Sequence, residues 1–288
     1  MTAPVQEAAD GLTFRPLETA ADYQAGVDLQ RATWGHNFGE AVPASILKIN
    51  QKAGGVSAGV FDRDGKMLAF VFGLTGLQGD PPRRVHWSHM LAVHPDARDH
   101  HLGTRLKLYQ REVLLPLGVE EIQWTYDPLE ARNAHLNLNR LGAVVIDYVE
   151  DMYDDDLGSE LARGIGTDRF IVSWAIQSER IAERVADLAA GRQLDPGPDA
   201  ERYSDAPVAN PADPAALALP DAPRVRVEIP VSIQTLKAED EERAHAWRLS
   251  TRRAFEEYMG RGYRVETFWR DPREQRCFYG LAAEPERT

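Results

Sequence analysis

The sequence predicts a mixed α/β (α+β) fold, a central sheet with helices on both faces followed by a small C-terminal βαββ unit. Three observations carry that expectation. Between Thr13 and Ile176, short stretches of period-two alternation interleave with stretches of helical spacing. Leu194 to Ala222 then holds Pro196, Pro198, Pro207, Pro211, Pro214 and Pro220 amid Ala and Asp, the composition of a linker. Residues 223–284 finally carry a strand, a helix and a hairpin, a unit too small to fold well by itself. It is expected to dock on the first domain or on a second copy of the chain, as in a homodimer.

Each element has its own signal. Thr13 to Leu17 alternates weakly, and Tyr23, Val27, Leu29 and Trp34 after Glu18-Thr19 predict an amphipathic helix. A glycine-containing turn (Gly35 to Gly39) and Pro43 precede a short helix with Ile46, Leu47 and Ile49, which Gly54 and Gly55 end. Val56 to Asp62 and Met67 to Leu77 flank Asp64-Gly65, a dipeptide suited to a tight hairpin turn. Val85 to Val93 reads as an interior strand, with Val85, Trp87, His89, Leu91 and Val93 on one face and His86, Ser88, Met90 and Ala92 on the other. Leu102, Leu106, Tyr109 and Val113 recur at helical spacing until Pro116 stops the helix after Leu115. Glu121 to Tyr126 predicts a strand, and Asp127-Pro128 opens a helix striped by Ala134, Leu138 and Leu141 and closed by Gly142. Ala143 to Tyr148 and Phe170 to Ile176 predict two strands joined by an acidic loop, and Ser178 to Ala190 a polar helix. After the linker, Val225 to Val231 alternates as a strand, Asp240 to Met259 is helical, and Val265 to Trp269 with Arg276 to Leu281 suggests a hairpin across Asp271-Pro272. The domain plan is a disordered N-terminus over 1–10, a first domain over 11–178, a helix and linker over 179–222, and the small unit over 223–284.

Composition narrows the function. The 288 residues are 43% hydrophobic and 27% charged, values of an ordinary globular protein. With 33 Lys+Arg against 45 Asp+Glu, a net charge of −12 opposes nucleic acid as a partner. The longest nearly apolar run, Met67 to Leu77, is far short of the ~20 residues that span a bilayer, so no membrane partner is expected. The single cysteine, Cys277, and an N-terminus without a basic start followed by an apolar stretch fit a cytoplasmic protein. The eight histidines show no paired His/Glu helical spacing, and no metal is expected.

The segment richest in chemistry is His86 to Lys107, where a strand runs through His94-Pro95, Arg98, Asp99, His100 and His101 into a helix opening at Leu102-Gly103-Thr104. Free amides at a helix start, with Arg98 beside them and Gly103 allowing close approach, can hold a pyrophosphate. Val93-His94-Pro95, Arg98 and Leu102-Gly103-Thr104 resemble the acyl-CoA motif V-x-P-x-x-R-x-x-G-x-G/A of the GNAT N-acyltransferase superfamily, with His101 at the first glycine. Asn133-Ala134 with Leu141-Gly142-Ala143 resembles the family's N-x-x-A…G-F element, although Asn133 lies two residues nearer the glycine, and Leu138 stands where many members have tyrosine. The element order from Thr13 to Ile176 also suits the family.

The resemblance implies a GNAT-like sheet that splays beside Leu91, Ala92 and Val93, with acetyl-CoA or another acyl-CoA as co-substrate laid in the gap. Amides near Leu91 to Val93 would stabilise the oxyanion, Arg98, His100, His101, Leu102, Gly103 and Thr104 would hold the pyrophosphate, and Asn133 the pantetheine or acyl group. His89 is the candidate base, by its ordinary pKa near ~6.5, unless it is simply packed in the sheet; a bulge in the strand would change which residues share its face. Tyr126 and Tyr148, with Tyr153, are candidates for protonating the thiolate, the alternative being that it leaves without a dedicated acid. Trp34, His36, Phe38 and Arg132 are candidates for binding a small-molecule amine acceptor, with surface or core roles as the alternative. Asp127 either nears the pocket or caps the following helix, and the acidic run Glu150 to Asp156 either attracts a cation or is solvated. The expected activity is acyl transfer, acetyl, succinyl or other, to an amine such as an amino acid; a non-catalytic acyl-CoA-binding regulator is the alternative.

Overall fold

The computed structural model describes residues 3–97, 100–153, 159–192, 201–210, 219–271 and 275–283. The chain divides into two compact units: Met1–Trp124 with Asp156–Glu160 and Trp174–Ala182, and Thr125–Asp155 with Leu161–Ser173 and Glu183–Thr288.

The first unit is a sheet flanked by helices: β1 (Gln6–Glu7), β2 (Thr13–Pro16), α1 (Ala20–Trp34), α2 (Ala44–Lys52), β3 (Val56–Phe61), β4 (Met67–Gln78), β5 (Arg83–Val93), α3 (Leu102–Leu114) and the start of β6 (Glu121–Tyr126). Thr19 and Asp22 form a reciprocal capping box that starts α1, and Asp22 also pairs with Arg15 at 2.8 Å. Asp62 accepts from the amides of Asp64 and Lys66 in the β3–β4 turn, where Gly65 has φ 80°. The strands run in the order β1-β2-β3-β4-β5-β6, antiparallel except for β5 with β6, which are parallel. Leu17, Tyr23, Val27, Leu29, Leu47, Phe70, Phe72, Met90 and Ala92 form the core on the α1 and α2 side. The other face is covered by α3.

Residues 3–10, expected to be disordered, are tied down instead. Gln6 pairs with Phe14, the Tyr109 hydroxyl donates to Pro4 O at 2.7 Å, and Arg105 pairs with Asp10 at 2.7 Å. No sequence pattern announced these contacts, two of whose partners, Tyr109 and Arg105, lie on α3.

The second unit contains the end of β6, α4 (Ala131–Ala134) continuing as a π-helix (His135–Arg140), β7 (Val144–Val149), β8 (Arg169–Trp174, to Ser173) and most of α5 (Glu179–Ala189). It also holds β9 (Arg224–Ile229), α6 (Ile233–Glu239), α7 (Glu241–Gly260), β10 (Tyr263–Asp271) and β11 (Arg276–Ala283). β7 and β8 are antiparallel, and β10-β11-β9 is a separate antiparallel sheet. The C-terminal segment thus has two helices, α6 and α7, where one was expected: Ser232 and Asp240 each accept from an amide of the turn they start, so the chain breaks between them. An aromatic cluster binds this segment to β7 and β8: Phe170 lies 4.6 Å from Phe255, 5.4 Å from Tyr279 and 5.8 Å from Tyr148 between ring centroids. Within the expected linker, residues 201–210 are packed rather than free, with Tyr203 buried and Val208 bridging to Arg226 on β9.

Candidate functional site

The candidate site is built on β5. Its register against β4 runs Ala69↔Val93 to Phe72↔Met90, then resumes at Leu74↔Trp87, so Gly73 faces both Ser88 and His89 and β5 carries a bulge there. The bulge reassigns the faces predicted from alternation. His86 and Ser88 look toward α3, where Ser88 bonds Gln110 and Lys107, whereas Met90 and Ala92 join the core with Tyr23 and Val27 on α1. A residue larger than glycine at 73 has no room: a Cβ would lie 2.3 Å from His86 Nε2 and 2.7 Å from Trp87 O.

On its other edge, β5 pairs with β6 only at Val85↔Glu121, His86↔Ile122 and Trp87↔Gln123. Beyond Trp87 the two parallel strands part, and among the described residues nothing pairs with that edge of β5 from Ser88 to Val93. The unpaired N–H and C=O groups make a slot into which an extended, amide-bearing ligand can hydrogen-bond as an added strand.

Past Val93 the chain makes a 3-10 turn, Pro95–Ala97, and enters α3 through His101. His101 has φ 54° and ψ 22°, the left-handed conformation that a glycine adopts without strain, and its exposed side chain makes no cap hydrogen bond. The first turn of α3 carries no acidic residue, so its amides present the positive end of the helix dipole. Leu102 and Thr104 are buried, Gly103 is half-buried and His100 exposed; Arg98 and Asp99 lie outside the described residues.

Under the fork lies a buried polar chain whose hydrogen-bond directions are determined. Thr75 donates to Gly54 O at 2.9 Å, so its oxygen accepts from His86 Nδ1–H at 2.9 Å; His86 Nε2, then unprotonated, accepts from Gln110 Nε2 at 2.9 Å. Gln110 Oε1 accepts from Ser88 Oγ at 3.0 Å, and Ser88 Oγ accepts from Lys107 Nζ at 2.7 Å. Burial, with the charge of Lys107 second, pushes the pKa of His86 down to about 3, which keeps it neutral as the chain requires. Lys107 itself is driven well below its ordinary range by burial alone.

His89 is half-buried and meets Phe72 edge-on, with centroids 6.0 Å apart. Burial lowers its pKa and Glu40 works in the opposite direction, leaving a neutral imidazole near pH 7. Trp34 and Phe38 stack at 5.4 Å against the core that contains Phe72, and His36 is exposed beside them. The fork, His89 and this aromatic pair therefore belong to one unit.

The remaining candidates belong to the second unit, each described there. Tyr126 is buried with its hydroxyl 3.4 Å from that of Tyr279. Tyr148 donates to Asp168, which is buried and held by Arg252 at 2.9 Å. Arg132 and Asn133 are exposed on α4. Asp127 accepts from Leu129 N at 2.8 Å in a turn ahead of α4 and pairs with Arg248 at 2.6 Å, so it does not cap the helix, whose N-cap is Glu130. Glu150 and Asp151 pair with Arg252, while Asp154 to Asp156 lie outside the described residues.

Sequence reasoning missed Lys107, Gln110 and Glu40. Lys107 and Gln110 fall in line with Leu114 on the buried face of α3, and polar residues breaking into that stripe were the available signal. Among the described residues no group of three or more His, Cys, Asp or Glu is placed to hold a metal ion, and no helix is long and apolar enough to cross a membrane.

No family model matches the chain, and no curated protein matches it. Solved structures similar to it include the ribosomal-protein-S18-alanine N-acetyltransferase from Escherichia coli, at 21% identity and a TM-score of 0.43 over 58% of this chain and 95% of that one. Aminoglycoside 6'-acetyltransferase type Ii is similar at 17% identity and 0.45, over 58% and 98%. The ribosomal-protein-S5-alanine acetyltransferase from Vibrio fischeri is similar at 14% identity and 0.46, over 61% and 98%. With all three scores below 0.5, what the chain can do follows from its own geometry.

Proposed function

We propose that the chain moves an acyl group, acetyl in the simplest case, from a CoA thioester to the amine of a small metabolite such as an amino acid. The observation that carries this reading is the fork: two parallel strands that part after three paired positions, leading through a left-handed residue into an uncapped helix start. A pantetheine arm has the amides to pair with the free edge of β5, and a pyrophosphate has the charge to sit at the first turn of α3. The thioester carbonyl then lies along Ser88 to Val93, where backbone N–H groups can meet the oxyanion as it forms. The acceptor attacks as its free amine, and His89, neutral near pH 7, takes the proton that nitrogen sheds as the amide forms. Trp34, His36 and Phe38 supply an acceptor wall, and Arg98 remains an expected phosphate contact. Tyr126 and Tyr148 take no part in this mechanism, since their hydroxyls are engaged with Tyr279 and Asp168.

The test pairs a thermal-shift titration with CoA and acetyl-CoA with a thiol-release assay over a panel of amino acids and small amines. Stabilisation with turnover is expected, and His89→Ala should lower kcat by on the order of 100-fold while CoA affinity holds. Stabilisation by CoA without thiol release from any amine would favour a non-catalytic acyl-CoA-binding regulator. No response to CoA would end both readings.

A further inference from the structure

Of the charged residues of α3, Lys107 alone is buried, with 3% of its surface exposed. Its ammonium donates to Ser88 Oγ at 2.7 Å and stands 3.8 Å from the centroid of the Trp124 ring. Ser88 and Trp124 are the residues that follow the last paired position, Trp87↔Gln123, on the two strands of the fork. Had the pairing continued, they would have faced each other; Lys107 occupies the α3 side of that first open position. No carboxylate pairs with it among the described residues. A hydroxyl and a ring face compensate only part of what an ammonium loses on leaving water. A packing role would be served as well by methionine, so the amine is retained at a cost in stability.

We propose that Lys107 protonates the sulfur that departs when a thioester lying in the fork is cleaved, an inference that rests on the acyl-transfer reading above. The amine nitrogen bonds to the carbonyl carbon, the carbon–sulfur bond breaks with its electron pair going to sulfur, and the Lys107 ammonium gives that sulfur a proton. The surplus proton of the attacking nitrogen goes to His89. When thiol and amide leave, His89 releases its proton to solvent and Lys107 takes one up. The depressed pKa of Lys107 makes it a stronger acid than an exposed lysine. Of the groups facing it, His86 from β5 is titratable and held neutral, while Ser88, Gln110 and Trp124 carry no charge.

The experiment measures kcat and KM for acetyl-CoA across pH, with the best amine of the panel, for the full chain and its Lys107→Met variant. Lys107→Gln, which keeps a donor for Ser88, serves if the methionine variant does not fold. The expected result is a fall in kcat of on the order of 100-fold, with KM and CoA affinity within about threefold. The wild-type alkaline limb, where Lys107 loses its proton, should vanish in the variant. A merely structural lysine would leave that limb in place. Turnover within about threefold of wild type with the limb intact overturns the assignment and leaves acyl transfer standing. A wild-type chain that binds CoA but releases no thiol, or binds none, overturns the acyl-transfer reading and this inference with it.

Discussion

His101 carries a full side chain in a backbone conformation that costs an L-residue about 1–2 kcal/mol and glycine little. Its imidazole is exposed and makes no cap hydrogen bond, so among the described residues no such bond offsets the strain. His101→Gly is expected to raise stability by up to about 1 kcal/mol, the relief being partly offset by the greater freedom of glycine in the unfolded chain. A denaturant midpoint that falls instead would mean that the imidazole holds something in place. CoA affinity should hold or tighten, since the smaller residue brings the backbone nearer a phosphate. The resemblance to an acyl-CoA motif put His101 at the motif's first glycine, and the structure adds that its backbone is left-handed, with φ 54°. What sequence could not supply was the neighbourhood: Lys107 is unremarkable in the sequence, and only the docking of α3 on β5 sets its ammonium against Ser88 and Trp124.

At the scale of the element, the bulge in β5 decides the site. Alternation over Val85 to Val93 put His86, Ser88, Met90 and Ala92 on one face, and it fails because one extra residue opposite Gly73 turns the later half of the strand over. The bulge depends on Gly73: with a Cβ there, Trp87 O would be met at 2.7 Å and the His86 ring at 2.3 Å, and backbone cannot yield as a side-chain tip does. Gly73→Ala should therefore cost about 2 kcal/mol or more by overpacking, and CoA affinity should fall with it because the fork loses its shape. A urea melt within about 0.5 kcal/mol of wild type would remove the bulge from this account. The expected strands and helices were legible because their signals are local: Thr19 and Asp22 start α1, Asp62 with Gly65 turns β3 into β4, and Pro116 follows the end of α3. The helix expected from Asp240 is α7, whereas α6, which Ser232 caps, was not read from the sequence because it spans only seven residues.

At the scale of the whole chain, each unit keeps a buried polar group whose pairing links folding to pH. In the first unit His86 has its pKa pushed down to about 3, against an ordinary value near 6.5. Between those values the unfolded chain binds a proton that the folded one refuses, so stability must fall as pH drops from 6.5 toward 3. The expected loss is about 2 kcal/mol between pH 6.5 and 5, read from urea unfolding at the two pH values, and His86→Gln should flatten it. Equal slopes in both proteins would show that His86 is not the source. In the second unit burial raises the pKa of Asp168, but hydrogen bonds from Arg252 and Tyr148 outweigh that and hold it below the ordinary range. Its contribution is complete above the ordinary carboxylate range near pH 4 and lost below it, a lower window than that of His86.

The amino-acid sequence by itself determined the kinds and order of most elements, β1 and α6 excepted, and the strand-to-helix passage into α3 with the candidates around it, because periodicity, caps and turn residues act over a few positions. The tertiary structure decided which side chains meet: the neutral tautomer of His86, the ammonium under the fork, and the engagement of Tyr126 and Tyr148 with Tyr279 and Asp168. These depend on a one-residue shift between two strands and on partners up to 153 positions apart along the chain, and local propensity carries no information across that distance.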